Sequence, residues 1–262
     1  MLGSLAGRVA LRLRETYDLF AASRESVGTV ANDQLAGRIA VRLVDGAGIF
    51  VDVGAHIGSV VAEVRRHCPA ARIIAFEAIP EKADRLRKKF PDVRVECCAL
   101  SDREGQASFF VDLDRSGYSS LARGSSQVRE IEVPLRRLDD FLAGEPVDLI
   151  KIDVEGAELG VLRGASSVLE TARPVIMFES APEERLGYAK ADLWRFLDGR
   201  GYAVLLPNRL AHGAPGLSLD GFLDSHLYPR RTTNYFAVPI ERKEEVRART
   251  RAILGLAAAG PA

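Results

Sequence analysis

Short apolar runs alternate with amphipathic stretches along most of the chain. Residues 49–53 and 72–77 are mostly Ile, Val, Phe and Ala, with an acid at Asp52 and at Glu77, and 93–97 alternates Val with charge, so all three read as strands. Between them, 58–67 and 80–89 repeat apolar positions at helical spacing, and Pro80 suits a first helical turn, where its missing N–H costs nothing. The alternation resumes with strands at 148–153, 174–179, 202–206 and 233–238 and helices at 158–170 and 189–200. Strand and helix in alternation predict an α/β fold with a mostly parallel, seven-stranded sheet and flanking helices. The first crossovers are short and are expected to be right-handed.

Two regions break the alternation. Residues 107–112 and 130–135 read as an inserted strand pair. The stretch from Asp114 to Val128 between them, rich in Ser and Gly and holding Arg115, Tyr118 and Arg123, reads either as a surface loop or as a flap over a ligand. At the start, Leu2, Leu5, Val9, Leu13, Tyr17 and Phe20 fall on one face of a helix over 1–22, and a second helix over 32–44 leads into the first strand. That apolar face can pack on the core or on a second copy of the chain, making a homodimer possible. Glu15 and Asp18 dilute the basic character a membrane-surface helix would need. The segment 208–231, rich in Gly, Pro and His, reads as an irregular loop on the substrate side. The division expected is a helical segment over 1–45 packed on the core, one α/β domain over 46–240, and a charged helix with a fraying tail over 241–262.

Composition narrows the function. A chain of 262 residues, 47% hydrophobic and 27% charged, can bury one sizeable core. Lys and Arg balance Asp and Glu at 36 each, so broad electrostatic capture of nucleic acid is not expected. No apolar run reaches the ~18 residues of a membrane span, and Arg8, Arg12 and Arg14 interrupt any secretory-type core. Three cysteines, Cys68, Cys97 and Cys98, make neither a disulfide framework nor a zinc pattern, and a reducing cytoplasm is the expected setting.

The candidate chemistry begins where the first strand ends, at Asp52-Val53-Gly54-Ala55-His56-Ile57-Gly58. Strand, glycine turn and helix build a nucleotide site, because glycine permits close backbone approach and the helix start offers unpaired N–H groups. Glu77, ending the second strand, stands where an acid hydrogen-bonds ribose hydroxyls in doubly wound folds. A dinucleotide fingerprint needs a glycine where His56 stands, which argues against NAD. An acid two residues before the first glycine is instead the pattern of S-adenosyl-L-methionine sites. Cofactor contacts are therefore expected from Asp52, Gly54, Ala55, His56, Gly58 and Glu77. The ring of His56 either faces the reaction centre or fills space.

The ordered motifs extend further. Val51-Asp52-Val53-Gly54-Ala55-His56-Ile57-Gly58, then Ala99-Leu100-Ser101-Asp102 with Glu104-Gly105, Ser119-Ser120-Leu121, Leu138-Asp139-Asp140-Phe141, Ile150 through Glu158 (IKIDVEGAE) and Asn234-Tyr235-Phe236 resemble the motifs of FkbM-type methyltransferases, in order, over roughly 46 to 240. The resemblance implies a class I, Rossmann-like methyltransferase that uses S-adenosyl-L-methionine on sugars, polyketides or other small hydroxylated acceptors. It also supports Ser101-Asp102 as the adenine contact, with Asp102 accepting from the exocyclic amine; read alone, Asp102 is equally a plain turn acid.

Methyl transfer to oxygen needs alignment and benefits from a base. Asp153 ends the fourth long strand, beside the first strand across the switch point, and is expected both to line the cofactor site and to serve as base. Lys151 shares its strand face and needs a buried anion, for which Asp52 is available. Glu155 in the following turn is placed to touch substrate, Glu158 to favour a helix start, and Glu179 to face the same edge. His212 and His226 in the late loop are alternative bases; Arg230-Arg231 reads either as solvated charge or as a site for an acidic substrate group. Asp153, Glu155 and Glu179 could hold Mg²⁺, but no spacing demands it, and a metal-independent enzyme is expected. N-methylation and a catalytically silent S-adenosyl-L-methionine binder are the remaining readings.

Overall fold

The computed structural model describes residues 5–22, 26–112, 128–180 and 188–256. Two helices come first, α1 (Leu5–Ala21) and α2 (Val27–Leu43). The alternating region follows as β1 (Ile49–Val53), α3 (Ser59–His67), β2 (Arg72–Phe76), α4 (Pro80–Lys89) and β3 (Arg94–Glu96). Next are β4 (Ala99–Leu100), β5 (Gly105–Asp112), β6 (Val128–Arg136) and the short α5 (Asp139–Leu142). Then come β7 (Val147–Ile152), α6 (Glu158–Arg163), α7 (Ser166–Thr171), β8 (Val175–Glu179), α8 (Lys190–Asp198), β9 (Tyr202–Leu205), α9 (Leu219–Asp224), β10 (Asn234–Pro239) and α10 (Lys243–Leu254).

The main sheet has the order β3-β2-β1-β7-β8-β10-β9. Neighbours from β3 to β8 run parallel, and β10 runs antiparallel to both β8 and β9. This is the seven-stranded, mostly parallel sheet expected from the sequence. All five residues of β1 are buried, as a central strand covered on both faces requires. Alternation sends Val51, Val53, Ile150 and Ile152 to one face, against Leu159, Leu162, Leu169 and Leu193 from α6, α7 and α8. Phe50 and Leu149 go to the other, against Ile39, Val61, Leu86 and Val246 from α2, α3, α4 and α10. Asp52 and Lys151 share this second face and are register partners, so one buried charge lies directly beside the other.

Several elements differ from the sequence-based expectation. The helix expected over 158–170 is two, α6 and α7. A side chain at Gly164 would stand 2.0 Å from Ser101 O, so the chain closes tightly there. Asp139 then starts α7 by accepting from Ser167 N at 3.1 Å and Val168 N at 3.0 Å. The inserted strands are longer than expected, pair antiparallel, and are joined by β4 parallel to β6, making a separate three-stranded sheet. The segment read as irregular contains a 3₁₀ turn (Pro207–Arg209) and α9, whose start is capped by Ser218 Oγ accepting from Gly221 N at 3.1 Å. The stretch read as a flap, 114–128, lies outside the described residues except for Val128, which starts β6, and the tail over 257–262 lies outside them too. Among the described residues no helix is long and apolar enough to cross a membrane.

Candidate active site

The strand order reverses between β1 and β7: the chain moves outward to β2 and β3, then returns to the other side of β1. The carboxyl ends of these strands open into a cavity, at the switch point where ligands bind in open α/β sheets. Its walls fall into an apolar part, with Phe76, Ile79, Leu100 and Phe109, and an acidic part, with Glu77, Asp153 and Glu155.

The turn after β1 is fixed by its own backbone. Gly54 N and Ala55 N both donate to Phe76 O at 3.0 Å, and Gly58 N donates to Ala55 O at 2.8 Å. Gly54, His56 and Gly58 have φ of +81°, +51° and +75°. A Cβ at Gly54 would lie 2.0 Å from Asp153 O; one at Gly58 would meet Leu86 and Phe90 at 2.6 Å. Both glycines are therefore required by protein packing as well as by backbone conformation. Gly54 and His56 line the cavity. Ala55 and Gly58 do not line it; they hold the turn.

Glu77 is buried against this turn. Its Oε2 accepts from His56 N at 2.8 Å and its Oε1 from Ile79 N at 2.9 Å. Burial pushes its carboxyl up, while these two bonds and the nearby Lys82 oppose that. Glu77 thus ties the glycine turn to the start of α4 and still presents to the cavity.

The ionic centre is Lys151. Its Nζ lies 3.1 Å from Asp52 Oδ1 and 3.3 Å from Asp153 Oδ2, and donates to Gly54 O at 3.1 Å. Burial works against its charge, but the two carboxylates hold Lys151 above its ordinary value. Burial lifts Asp52 even against the pull of Lys151. Asp52 is fully buried and does not line the cavity; Lys151 connects it to Asp153, which does. The Asp52–Lys151 contact is an ion pair by distance, and neither Asp52 oxygen has an aligned hydrogen-bond donor.

Asp153 lines the cavity, just past the end of β7. Burial alone would raise its carboxyl, but Lys151 and a hydrogen bond with Glu179 hold it below the usual carboxylate range. Glu179 moves the other way: burial first, then the charge of Asp153, push it up to about 10. A hydrogen bond between the two carboxyls needs a proton on one of them, and the opposed shifts favour Glu179 as its carrier. Glu155 has φ +53°, an uncommon value for a non-glycine residue, and places a third acid at the mouth. One oxygen from each of Asp153, Glu155 and Glu179 lies within 4.8 Å of the others, a spacing that a divalent cation could span. Glu158 does more than begin a helix: its Oε1 accepts from Gly156 N at 2.9 Å, and Tyr188 donates to its Oε2 at 2.6 Å.

Other sequence-based candidates are placed elsewhere. Ser101 and Asp102 lie outside the cavity walls; Asp102 is exposed and accepts from Ser101 Oγ at 3.3 Å. The chain bends from β3 into β4 there, so Cys98, Ala99 and Leu100 form the wall instead. His212 is exposed and off the cavity, in a loop held to α10 by Arg251 donating to Ala211 O and Lys243 to Ala214 O. His226 is buried, with both ring nitrogens occupied, by Phe222 O at 2.8 Å and Ser180 Oγ at 2.9 Å. Burial drives its pKa down to about 4, so it is a neutral packing residue stacked on Tyr235. Arg231 pairs with Asp224 at 2.7 Å.

Sequence reasoning missed Lys82 and Phe109 as cavity residues. Lys82 follows Pro80 by two positions on α4, a spacing that could have pointed to it; Phe109 depends on how the inserted sheet folds back over the main one.

The model of the FkbM methyltransferase domain matches residues 52–204, more than half of the chain. The chain belongs to the FkbM methyltransferase family. Among curated relatives, Methyltransferase 1 of Beauveria bassiana is 28% identical over 141 residues, covering 44% of this chain and 57% of that protein. Methyltransferase sdnD of Sordaria araneosa is 32% identical over 152 residues (44% and 59%), and the 2-O-methyltransferase NoeI of Sinorhizobium fredii is 31% identical over 148 (48% and 60%). The chain thus spans about three fifths of the length of these relatives. A methyltransferase FkbM of Methylobacillus flagellatus aligns over 88% of this chain and 60% of its own, with a TM-score of 0.45 and 15% identity.

The cofactor of this family is S-adenosyl-L-methionine. The cavity chemistry fits it. An apolar slot between Ile79, Leu100 and Phe109 suits adenine, Glu77 can accept from ribose hydroxyls, and the acids at the mouth suit a sulfonium and an ammonium group.

Proposed function

We propose that this FkbM methyltransferase transfers its methyl group to a hydroxyl on a small metabolite, natural product or sugar, with Asp153 as the acceptor for the hydroxyl proton. The observation that carries the reading is the ionic arrangement at the end of β7: an Asp153 carboxylate held charged by Lys151, with Glu179 neutral beside it. The 2-O-methyltransferase activity in the name of NoeI supports an oxygen acceptor.

Bound cofactor supplies an electrophilic methyl group on a sulfonium centre. The residues of the chain supply position and a proton acceptor. Asp153 accepts a hydrogen bond from the acceptor hydroxyl and aligns its oxygen. Lys151 keeps Asp153 a weak base. A weak base suffices, because the hydroxyl proton becomes strongly acidic once the new C–O bond is well formed, and it then passes to Asp153. Glu77 and the backbone turn from Gly54 to His56 hold the cofactor.

The test combines turnover with binding. Incubation with S-adenosyl-L-methionine and a panel of hydroxylated sugars and amines, read by S-adenosylhomocysteine release and product mass, should show methylation at oxygen. Asp153→Asn should then lower kcat by about 10²–10⁴ while S-adenosylhomocysteine affinity changes much less. Methylation of amines alone, or an Asp153→Asn enzyme with unchanged kcat, would reject this reading.

A further inference from the structure

Helix α2 holds the start of β10 through one carboxylate. Asp33 Oδ1 accepts from Thr232 Oγ1 at 2.6 Å, Thr233 N at 2.9 Å and Asn234 N at 3.1 Å, and its Oδ2 accepts from Thr233 Oγ1 at 2.9 Å. On the same helix, Asn32 Nδ2 donates to Arg231 O at 2.9 Å and Thr29 Oγ1 donates to Arg230 O. Asp33 and Thr233 are 200 residues apart, and both lie outside 52–204, the stretch that the family model matches.

The bonds of Asp33 reach the active site. Ser180 N donates to Thr233 O at 2.8 Å, and Asn234 is the register partner of Glu179. Residues opposed in an antiparallel pair set their side chains next to one another on one face. Glu179 follows Met177 by two positions, and Met177 is the register partner of Lys151, so this is the face that bears the ionic centre. The Asn234 carboxamide is tied back there by Nδ2 donating at 3.2 Å to Thr233 Oγ1, the hydroxyl that Asp33 holds. Among the described residues β9 pairs with β10 from Phe236 onward, so ahead of that point β8 and α2 hold the strand. A clamp that served stability alone could close anywhere along β10; this one closes on the residues that meet Glu179 and Ser180.

We propose that Asp33 is a positioning residue for methyl transfer: through Thr233 and Asn234 it fixes the end of β8 and so holds Glu179 against Asp153. The proposal rests on the reading of Asp153 as the proton acceptor.

The test uses the panel sugar that is methylated fastest at oxygen. Asp33→Ala should lower kcat by about tenfold to a hundredfold with S-adenosylhomocysteine affinity unchanged, because the cofactor turn is built on β1 and β2. Asp33→Asn keeps Oδ1 and should restore most of the rate. Leu169→Ala truncates the core on the other sheet face, ahead of the amino end of β8, and controls for stability. At a comparable loss of Tm it should keep the parental kcat. A double-mutant cycle with Glu179→Gln reads the coupling: if Asp33 acts through Glu179, Asp33→Ala should cost little more in the Glu179→Gln chain. Hydrogen exchange needs no acceptor, and peptides over 175–180 and 232–239 should exchange faster in Asp33→Ala than in the parent. Equal exchange, additive effects in the cycle, a parental kcat in Asp33→Ala, or an equal loss in Leu169→Ala would each overturn the proposal. An Asp153→Asn enzyme with unchanged kcat would instead reject the proton acceptor, and the cycle would still decide whether Asp33 acts through Glu179.

Discussion

Replacing Lys151 with Met tests the ionic centre on which the site reading depends. Met keeps the length and apolar stem of the side chain and removes its charge. Three partners then lose the ammonium group: Asp52 at 3.1 Å, Asp153 at 3.3 Å and Gly54 O at 3.1 Å. Asp52 is fully buried, so water cannot replace the lost partner. Removing one member of a buried pair costs about 3–5 kcal/mol, which for a chain of this size lowers Tm by roughly 10 °C. The loss should depend on pH. Without Lys151 the folded-state pKa of Asp52 rises further above its unfolded value. A carboxyl raised in this way stabilises the fold below its unfolded pKa and loses that contribution as pH rises, by about 1.4 kcal/mol per unit. Lys151→Met should therefore be more damaged at pH 8 than at pH 6. Asp52→Asn in the same chain removes the buried charge and should recover much of the loss, so the two substitutions will be strongly non-additive. Urea unfolding of the four proteins at both pH values measures this. Additive effects, or a Lys151→Met chain within about 1 kcal/mol of the parent, would refute a buried ionic centre here.

Two further outcomes follow from the site. His226, held neutral with a pKa near 4, binds its proton more readily unfolded than folded, so its contribution is present above the unfolded pKa and is lost as pH falls from about 6.5 toward 4; His226→Gln should flatten the acid limb of a Tm-against-pH profile, and an unchanged limb would assign it to other groups. Gly54→Ala places a methyl 2.0 Å from Asp153 O at φ +81°. It should lower Tm and abolish S-adenosylhomocysteine binding by calorimetry, and retention of near-parental affinity would mean that the turn is not part of the cofactor site.

The sequence by itself determined what depends on local pattern. Apolar runs of strand length, separated by helical spacing, set the alternating architecture, since a central parallel strand such as β1 must be apolar on both faces. The acid, glycine turn and second acid at Asp52, Gly54 and Glu77 marked the sheet edge where the cavity opens, because a tight turn after a strand leaves a chemical signature within a few residues. The pairing of Lys151 with Asp52 was legible from alternation and from the cost of burying a lone lysine.

Only the tertiary structure decided matters that rest on contacts distant in sequence. Asp102 falls off the cavity because β4 leaves the main sheet to pair with β6. Gly164, between α6 and α7, must lack a side chain because Ser101 O lies against it. His226 turns inward because Phe222 O and Ser180 Oγ satisfy both of its nitrogens. Phe109 reaches the cavity from an inserted sheet, and Glu179 meets Asp153 across neighbouring strands. None of these leaves a mark in the periodicity of its own segment, since a residue's partners across a sheet or a turn are set by the path of the whole chain.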